Sequence, residues 1–403
     1  MPTLTGTLRR ALRLLTRPVR LDSERRGVVI HAYRGYGSRD EVFLIGRLLR
    51  QSQAGASHKP GLLGDLIDFA RWASRWGIAE APVVARLGGT ETRVLTDDDG
   101  YFRIELQPRD LRHEEGPWHA VELEAAGVTA VGRVYVPPPT SRVVVVSDID
   151  DTLVYTGVAN RLKMFWNLFF KSAESRVAFP GAAALYRALY HGATGDQCNP
   201  MLYVSRGPWS IYEVLDAFFA LHRIPVGPIL FLREWGMTLQ RPLPPSAKDH
   251  KLHLIRNMMA LYDDRPFVLI GDSGQRDPEI YARIVREHPE RVSAVYIRDV
   301  SRDAARNEAI TTLADEVARQ GSRLLLAADS FAMAEHAHEQ GLIAAEALAD
   351  VQAERAEAET PSAAKPTREV RDEAGLEEAL DRHDATGEAV AVESEESGAT
   401  SRR

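Results

Sequence analysis

The sequence predicts an α/β protein in which a parallel sheet with helices on its faces follows a smaller β-sandwich-like domain. Three observations carry this. After about residue 140, strand-sized apolar runs alternate with helical stretches, the pattern of βαβ units. Between residues 27 and 139 the hydrophobic period is two, in short segments broken by Gly, Pro and Asp. Several of the later apolar runs end in carboxylates, as in "VVVVSDIDDTLVYTG" at 143–157. An unbroken β-branched run reads as a strand buried on both faces, and carboxylates belong at its end only if something there wants them.

Residues 1–26 form a basic N-terminal segment. Seven arginines stand there against Asp22 and Glu24, with Leu4, Leu8, Leu12, Leu14 and Leu15 interleaved. Such a segment reads either as an amphipathic helix lying on an anionic membrane surface or as an exposed helix docked on the domain behind it. From 27 to 139, "GVVIHAYRG", "EVFLIGRLL", "APVVARLGG", "TETRVLTDDDGYFRIEL", "WHAVELEAAG" and "VTAVGRVYVPP" are strand candidates. Within them "TDDDGYF" reads as a solvated hairpin turn, since its acids lack the ligand spacing of a calcium loop. "LLGDLIDFARWASRWGI" at 62–78 has helical period, and the glycines of "RGYG" at 34–37 precede no helix signal, which argues against a phosphate loop.

"PPPT" at 137–140 marks a linker into the third segment, 140–350, whose apolar runs are "VVVVSD", "MLYVS", "ILFL", "FVLIGD", "VSAVYIRD" and "RLLLAADS". From 351 to 403 the chain is rich in Ala, Glu, Asp, Ser and Thr, which predicts a disordered acidic tail. Residues 354–403 hold 14 acidic and 7 basic residues and so account for the whole net charge of −7. The remainder is balanced, without the basic field that nucleic-acid binding needs. No window approaches eighteen consecutive apolar residues, so no membrane-spanning segment is expected. The one cysteine, Cys198, forms no intrachain disulfide, and a reducing, cytoplasmic setting follows, with membrane contact peripheral at most.

In open α/β sheets ligands bind beyond the carboxyl ends of the strands. The residues there are Asp148 and Asp150, then Ser205, then Asp272 and Asp277. Two carboxylates one residue apart can take different roles, Asp148 as nucleophile and Asp150 as proton donor. With Asp272 they make an anionic, oxygen-rich pocket that suits Mg²⁺ better than zinc. A phosphoryl group facing an attacking aspartate needs a fixed cation and hydrogen-bond donors as well. Ser205 offers a hydroxyl, Thr152 steadies the first loop, and "AKDHKLHLI" offers Lys248 and Lys251. Lys251 is preferred because it begins the helical pattern Leu252, Ile255, Met259. Arg206 reads equally as a head-group contact or as one half of a surface salt bridge.

These residues resemble a known family. "DIDDT" at 148–152, "YVSRGPW" at 203–209, a lysine, and "GDSGQRDPEIY" at 271–281 resemble, in that order, the four motifs of haloacid-dehalogenase-type (HAD) phosphotransferases. "LIGDSGQRDPEIY" and the earlier "HAYRGYG…GRLL" look specifically like the actin-patch-associated phosphatidate phosphatase family, over about residues 27 to 340. The resemblance implies a HAD-like Rossmannoid sheet with a small cap. It implies Asp148 as the nucleophile that forms an aspartyl-phosphate and Asp150 as general acid and base. Ser205 and Lys251 would bind phosphate, with Lys248 still fitting the third motif. Asp148, Asp150, Asp272 and Asp277 would hold or support Mg²⁺.

The expected reaction is Mg²⁺-dependent hydrolysis of phosphatidate, a phospholipid, to diacylglycerol and phosphate at a membrane surface. A short insertion after the first motif carries "NRLKMFWNLFFKSAES" at 160–175, which reads as a helix buried on the sheet or as an apolar wall for acyl chains. The alternatives are the same chemistry on a soluble phosphomonoester, and a non-catalytic adaptor.

Overall fold

The structure is a computed structural model that describes residues 27–50, 76–111, 116–149, 152, 179–207, 209, 212–231, 247–301 and 303–359. The basic segment 1–26, the helix expected over 62–75, the aromatic-rich stretch 160–175 and the expected acidic tail from 360 lie outside these residues, as does the stretch 153–178 where a small cap is expected.

The first sheet contains β1 (Val28–Ala32), β2 (Gly35–Gly37), β3 (Val42–Arg50), β4 (Trp76–Gly77), β5 (Pro82–Leu87), β6 (Thr90–Leu95), β7 (Tyr101–Leu106), β8 (Trp118–Ala125) and β9 (Val128–Tyr135). They pair along one path, β1-β3-β2-β9-β8-β5-β6, with β4 and β7 also on β3. All pairings are antiparallel except β2 with β9. The period-two pattern does its work here: β8 alternates buried and exposed along its length, sending Val121 and Leu123 onto Leu44, Leu48, Val83, Phe102 and Ile104. The last residues of the stretch read as helical are strand instead, since Trp76 and Gly77 pair with Arg50 and Leu49.

"TDDDGY" is a turn organised by Asp97, whose Oδ1 accepts from the N–H groups of Asp99 (3.0 Å) and Tyr101 (2.8 Å). Gly100 closes it at φ +83°, where a side chain would also meet the Leu48 carbonyl at 2.5 Å.

The second sheet is entirely parallel: β10 (Val144–Asp148), β11 (Met201–Ser205), β12 (Ile229–Phe231), β13 (Phe267–Asp272), β14 (Val292–Arg298) and β15 (Leu324–Ala327), in the order β12-β11-β10-β13-β14-β15. All six correspond to the apolar runs of the third segment. Every residue of β10, β11, β12 and β13 is buried, because helices cover both faces. α1 (Ala182–His191), α2 (Tyr212–Leu221), α6 (Ser330–Glu339) and α7 (Glu346–Glu359) pack on one face, and α3 (Ala247–Leu261), α4 (Asp277–Glu287) and α5 (Ala304–Arg319) on the other. The chain moves outward from β10 through β11 and β12, then restarts on the other side with β13. The switch point of this doubly wound sheet therefore lies between β10 and β13.

The two sheets meet through aromatic rings and the linker. Tyr33 packs at a tilt against Trp209 and Tyr212 with ring centroids 4.6 Å apart in each case, and Trp209 lies 4.6 Å from Phe231. The Arg34 N–H donates to Tyr212 Oη at 2.9 Å, and the Arg34 guanidinium pairs with Asp216. After the linker, Asn199 satisfies all of its amide capacity: Oδ1 accepts from Arg142 N and Val143 N, while Nδ2 donates to Leu189 O and Gln197 Oε1.

α7 carries helix past residue 350, where composition had placed the start of the tail. Val351 is fully buried. Glu354 supplies what α1 lacks, since the N-cap of α1 is Gly181, with no side-chain cap. Glu354 Oε1 accepts from the N–H groups of Ala183 (3.1 Å) and Ala184 (3.3 Å), and Oε2 from Arg187 (2.9 Å). A carboxylate at a helix N-terminus satisfies free N–H groups and complements the macrodipole. Glu354→Ala is expected to lower stability by about 1–2 kcal/mol in urea denaturation. Glu354→Gln, which keeps the acceptor, should lose the smaller part of that.

Candidate active site

Asp148 is the last residue of β10 and Asp272 the last of β13, so the switch point itself brings the two carboxylates side by side. Asp277 comes from the first turn of α4, five residues on, and folds back over the end of β13. Carboxylate oxygens of Asp148, Asp272 and Asp277 lie within 4.8 Å of one another, and all three residues are fully buried. Among the described residues no other group of three metal-capable side chains gathers this closely.

Lys251 enters from the opposite wall, on α3. Its Nζ donates to Asp148 Oδ1 at 2.8 Å and to Asp277 Oδ1 at 2.6 Å, and it is itself fully buried. It stands 5.4 Å from the centre of the Tyr281 ring, whose hydroxyl is tied to the Ile270 carbonyl at 3.0 Å. Burial pulls the ammonium toward deprotonation, but Asp148 and Asp277 outweigh it and hold the pKa well above the ordinary lysine value. Three carboxylates and one ammonium leave the cluster with an excess of negative charge in a dry setting.

The loop between Asp272 and Asp277 is fixed by its own atoms. Gln275 N–H donates to Asp272 Oδ1 at 2.8 Å, the Gln275 side-chain amide reaches Asp148 Oδ2 at 3.4 Å, and Asp272 N–H points at Asp277 Oδ2 at 3.4 Å. Gly271 is required here: a Cβ on it would lie 2.3 Å from Asp277 Oδ2 and 2.6 Å from Asp277 Cβ. Arg298, at the end of β14, buries its guanidinium beside the first loop. It donates from Nε to the Thr152 carbonyl at 3.1 Å and from Nη2 to Ser330 Oγ at 2.8 Å, over the Phe179 ring. Burial brings its pKa down to about 10.

The residues singled out from the sequence divide into four groups. Asp148, Asp272, Asp277 and Lys251 converge on one another. Ser205 and Arg206 lie at the carboxyl end of the neighbouring strand, where Val204 pairs with Asp148. Ser205 Oγ accepts from Gly207 N–H at 3.0 Å, and Arg206 is half-buried. Thr152 is buried beside Arg298. Asp150 and the side chain of Lys248 lie outside the described residues, so the lysine seen at the cluster is Lys251. Asp277 has a more definite part than metal support alone, since one of its oxygens holds the lysine. Sequence reasoning missed Gln275, Gly271 and Arg298. The first two sit inside the quoted "GDSGQRD", but an amide and a glycine carry no charge signature.

A doubly wound parallel sheet that gathers three carboxylates and a lysine at its switch point defines an α/β protein with an acidic, cation-seeking centre. Residues 143–299 match the sequence profile of the phosphatidate phosphatase APP1 catalytic domain. The chain is 32% identical over 154 residues to phosphatidate phosphatase APP1 of Saccharomyces cerevisiae, 38% of this chain and 25% of that protein. It is 29% identical over 220 residues to an uncharacterized protein of Schizosaccharomyces pombe, 53% of this chain and 35% of that protein. The aligned part thus spans a quarter to a third of the length of these curated relatives. Among solved structures, a carbohydrate acetylesterase from Xanthomonas citri overlaps at 11% identity, covering 70% of this chain and 71% of that one, with a TM-score of 0.24, too low to identify a shared fold.

Gly271→Ala forces a methyl group into the Asp277 carboxylate. Overpacking of this kind costs about 1–3 kcal/mol. The expected outcome is a lowered thermal midpoint together with weakened divalent-cation binding by calorimetry, since Asp277 has to move.

Proposed function

We propose that the chain is an Mg²⁺-dependent phosphatidate phosphatase of the haloacid-dehalogenase type, working at a membrane surface through an aspartyl-phosphate. The observation that carries the chemistry is the bridge from Lys251 to Asp148 and Asp277 beside Asp272, at the switch point of the sheet. The profile that residues 143–299 match and the name of the S. cerevisiae relative support the substrate.

The donor set fits a hard divalent cation. It is all oxygen, densely anionic and buried, and among the described residues no cysteine or histidine joins the group. Asp148 and Asp272 would hold Mg²⁺ there, with Asp150 as the further ligand expected from the sequence, while Asp277 would support the site by holding Lys251. Bound Mg²⁺ would screen the charge between the attacking carboxylate and the phosphoryl oxygens.

In the proposed reaction the Asp148 carboxylate attacks phosphorus and the bond to the diacylglycerol oxygen breaks. Asp150 gives that oxygen its proton. Lys251 and the Ser205 hydroxyl donate to the equatorial phosphoryl oxygens, which carry the charge of the transition state. Asp150, now a carboxylate, then takes a proton from water, which hydrolyses the acyl phosphate and frees Asp148. Lys251 is already oriented by Asp277, so little reorganisation attends the reaction. Gln275 restrains Asp148 through the carboxylate oxygen that Lys251 leaves free.

Phosphate release from phosphatidate in mixed micelles with Mg²⁺ tests the reading. Asp148→Asn should lower turnover by about 10⁴-fold or more, as removal of a covalent nucleophile does elsewhere, and a chelator should abolish it. Lys251→Met should cost about 10²–10³-fold in kcat. It should also destabilise the fold by about 3–5 kcal/mol, because it strands two buried carboxylates. Release from a soluble phosphomonoester alone would keep the mechanism and discard the lipid. Release from neither substrate by folded protein would sink both.

A further inference from the structure

Beyond the catalytic groups, one side chain from outside the family-matched residues takes hold of the acidic loop. Arg306 sits in the first turn of α5, after the match ends at residue 299. Its Nε donates to the Ser273 carbonyl at 2.9 Å and its Nη2 to the Gln275 carbonyl at 2.6 Å. Both nitrogens at the tip of the guanidinium also engage Glu279, at 2.5 Å and 3.1 Å. Glu279 lies in the first turn of α4, two residues beyond Asp277. One rigid fork therefore ties the Ser273 and Gln275 carbonyls of the loop after Asp272 to the helix that carries Asp277.

The ends of this loop need such a tie. Asp272 and Asp277 present like charges in a dry cluster, and repulsion drives the loop to open unless something holds it. Inside the loop, Gln275 is the residue whose N–H fixes Asp272 and whose amide touches Asp148. The Gln275 carbonyl is the one that Arg306 grips. Ser273 is braced from the same side, its Oγ accepting from Val300 N–H and Ser301 N–H at 2.9 Å each. A lysine at position 306 would keep the charge but could not make two carbonyl contacts and a bidentate carboxylate contact at once.

We propose that Arg306 is a positioning residue for the loop 272–277, holding it in the shape that takes up the divalent cation. The inference rests on the metal reading of the site. Arg306 does not reach the reacting atoms. It acts through the backbone of Ser273 and Gln275.

The test compares the full-length wild type with Arg306→Met, Arg306→Lys and Glu279→Gln. Mg²⁺ binding is measured by calorimetry without substrate, backbone hydrogen exchange over residues 268–281 without metal, and the thermal midpoint for each. Loss of a group that orients metal ligands typically weakens affinity by about 10- to 100-fold. Arg306→Met is expected to fall in that range, with faster exchange confined to the loop. Arg306→Lys should recover part of the affinity. Glu279→Gln, which keeps both carbonyl contacts, should lose less than Arg306→Met. If Arg306→Met fails to fold, the Lys and Gln variants still rank the carbonyl contacts against the ion pair. A lowered thermal midpoint with unchanged Mg²⁺ affinity and unchanged loop exchange overturns the proposal and leaves Arg306 a purely structural residue. A wild type that takes up no Mg²⁺ overturns the metal reading itself, and this inference with it.

Discussion

The bridge from Lys251 to Asp148 and Asp277 is the interaction on which the rest of the molecule depends. All three side chains are fully buried, which is costly for charges unless geometry and hydrogen bonds are both good. Here the ammonium lies within 2.8 Å of each partner, and it stands 5.4 Å from the centre of the Tyr281 ring. The arrangement joins three elements distant in sequence: β10, α3 and the start of α4. Any error in the order of the strands or in the register of α3 would leave one of these charges alone in a dry interior. The bridge is therefore a strong constraint on fold uniqueness whatever its net contribution to stability.

Sheet topology supplies the proximity, and local backbone supplies the direction. The reversal of winding between β10 and β13 leaves a crevice between two adjacent strands whose connections run to opposite sides. Asp148 and Asp272 stand at the rim of that crevice because each ends its strand. Asp277 joins them only because Gly271 has no side chain, so the chain can turn back on itself within five residues. The apolar runs build the frame, and a single missing methyl group decides whether the third carboxylate can enter it.

This division explains what could be read from the sequence. The second sheet was legible because β10 to β13 are buried on both faces, which leaves no polar position to interrupt the valine, leucine and isoleucine runs. The strand-end carboxylates were legible because charge after such a run has no packing explanation. The choice between Lys248 and Lys251 was harder, because residues three apart on a helix share a face. Lys251 lies fully buried in the same stretch of α3 as buried Leu252 and Ile255. The strand at Trp76–Gly77 was misread because helical period persisted in the sequence up to a segment that β3 recruits by backbone pairing. Arg306 left no trace, since its key partners are peptide carbonyls, which any residue supplies.

The same reasoning bears on how much of the chain the site needs. The matched residues 143–299 contain the cluster, but three of its braces come from elsewhere. Arg306 grips the acidic loop from α5, Ser330 in α6 takes one end of Arg298, and Tyr33 of the first sheet packs against Trp209 just after the Ser205 loop. Arg306 acts on the backbone of the acidic loop and the other two on side chains close to the site, and none contributes a group to the cluster. A site with this excess of buried negative charge tends to relax by spreading its carboxylates, and the loops that bear them are too short to resist alone. Resistance has to come from contacts beyond the loops, so the flanking elements determine whether the acidic residues stand close enough together to act as one centre.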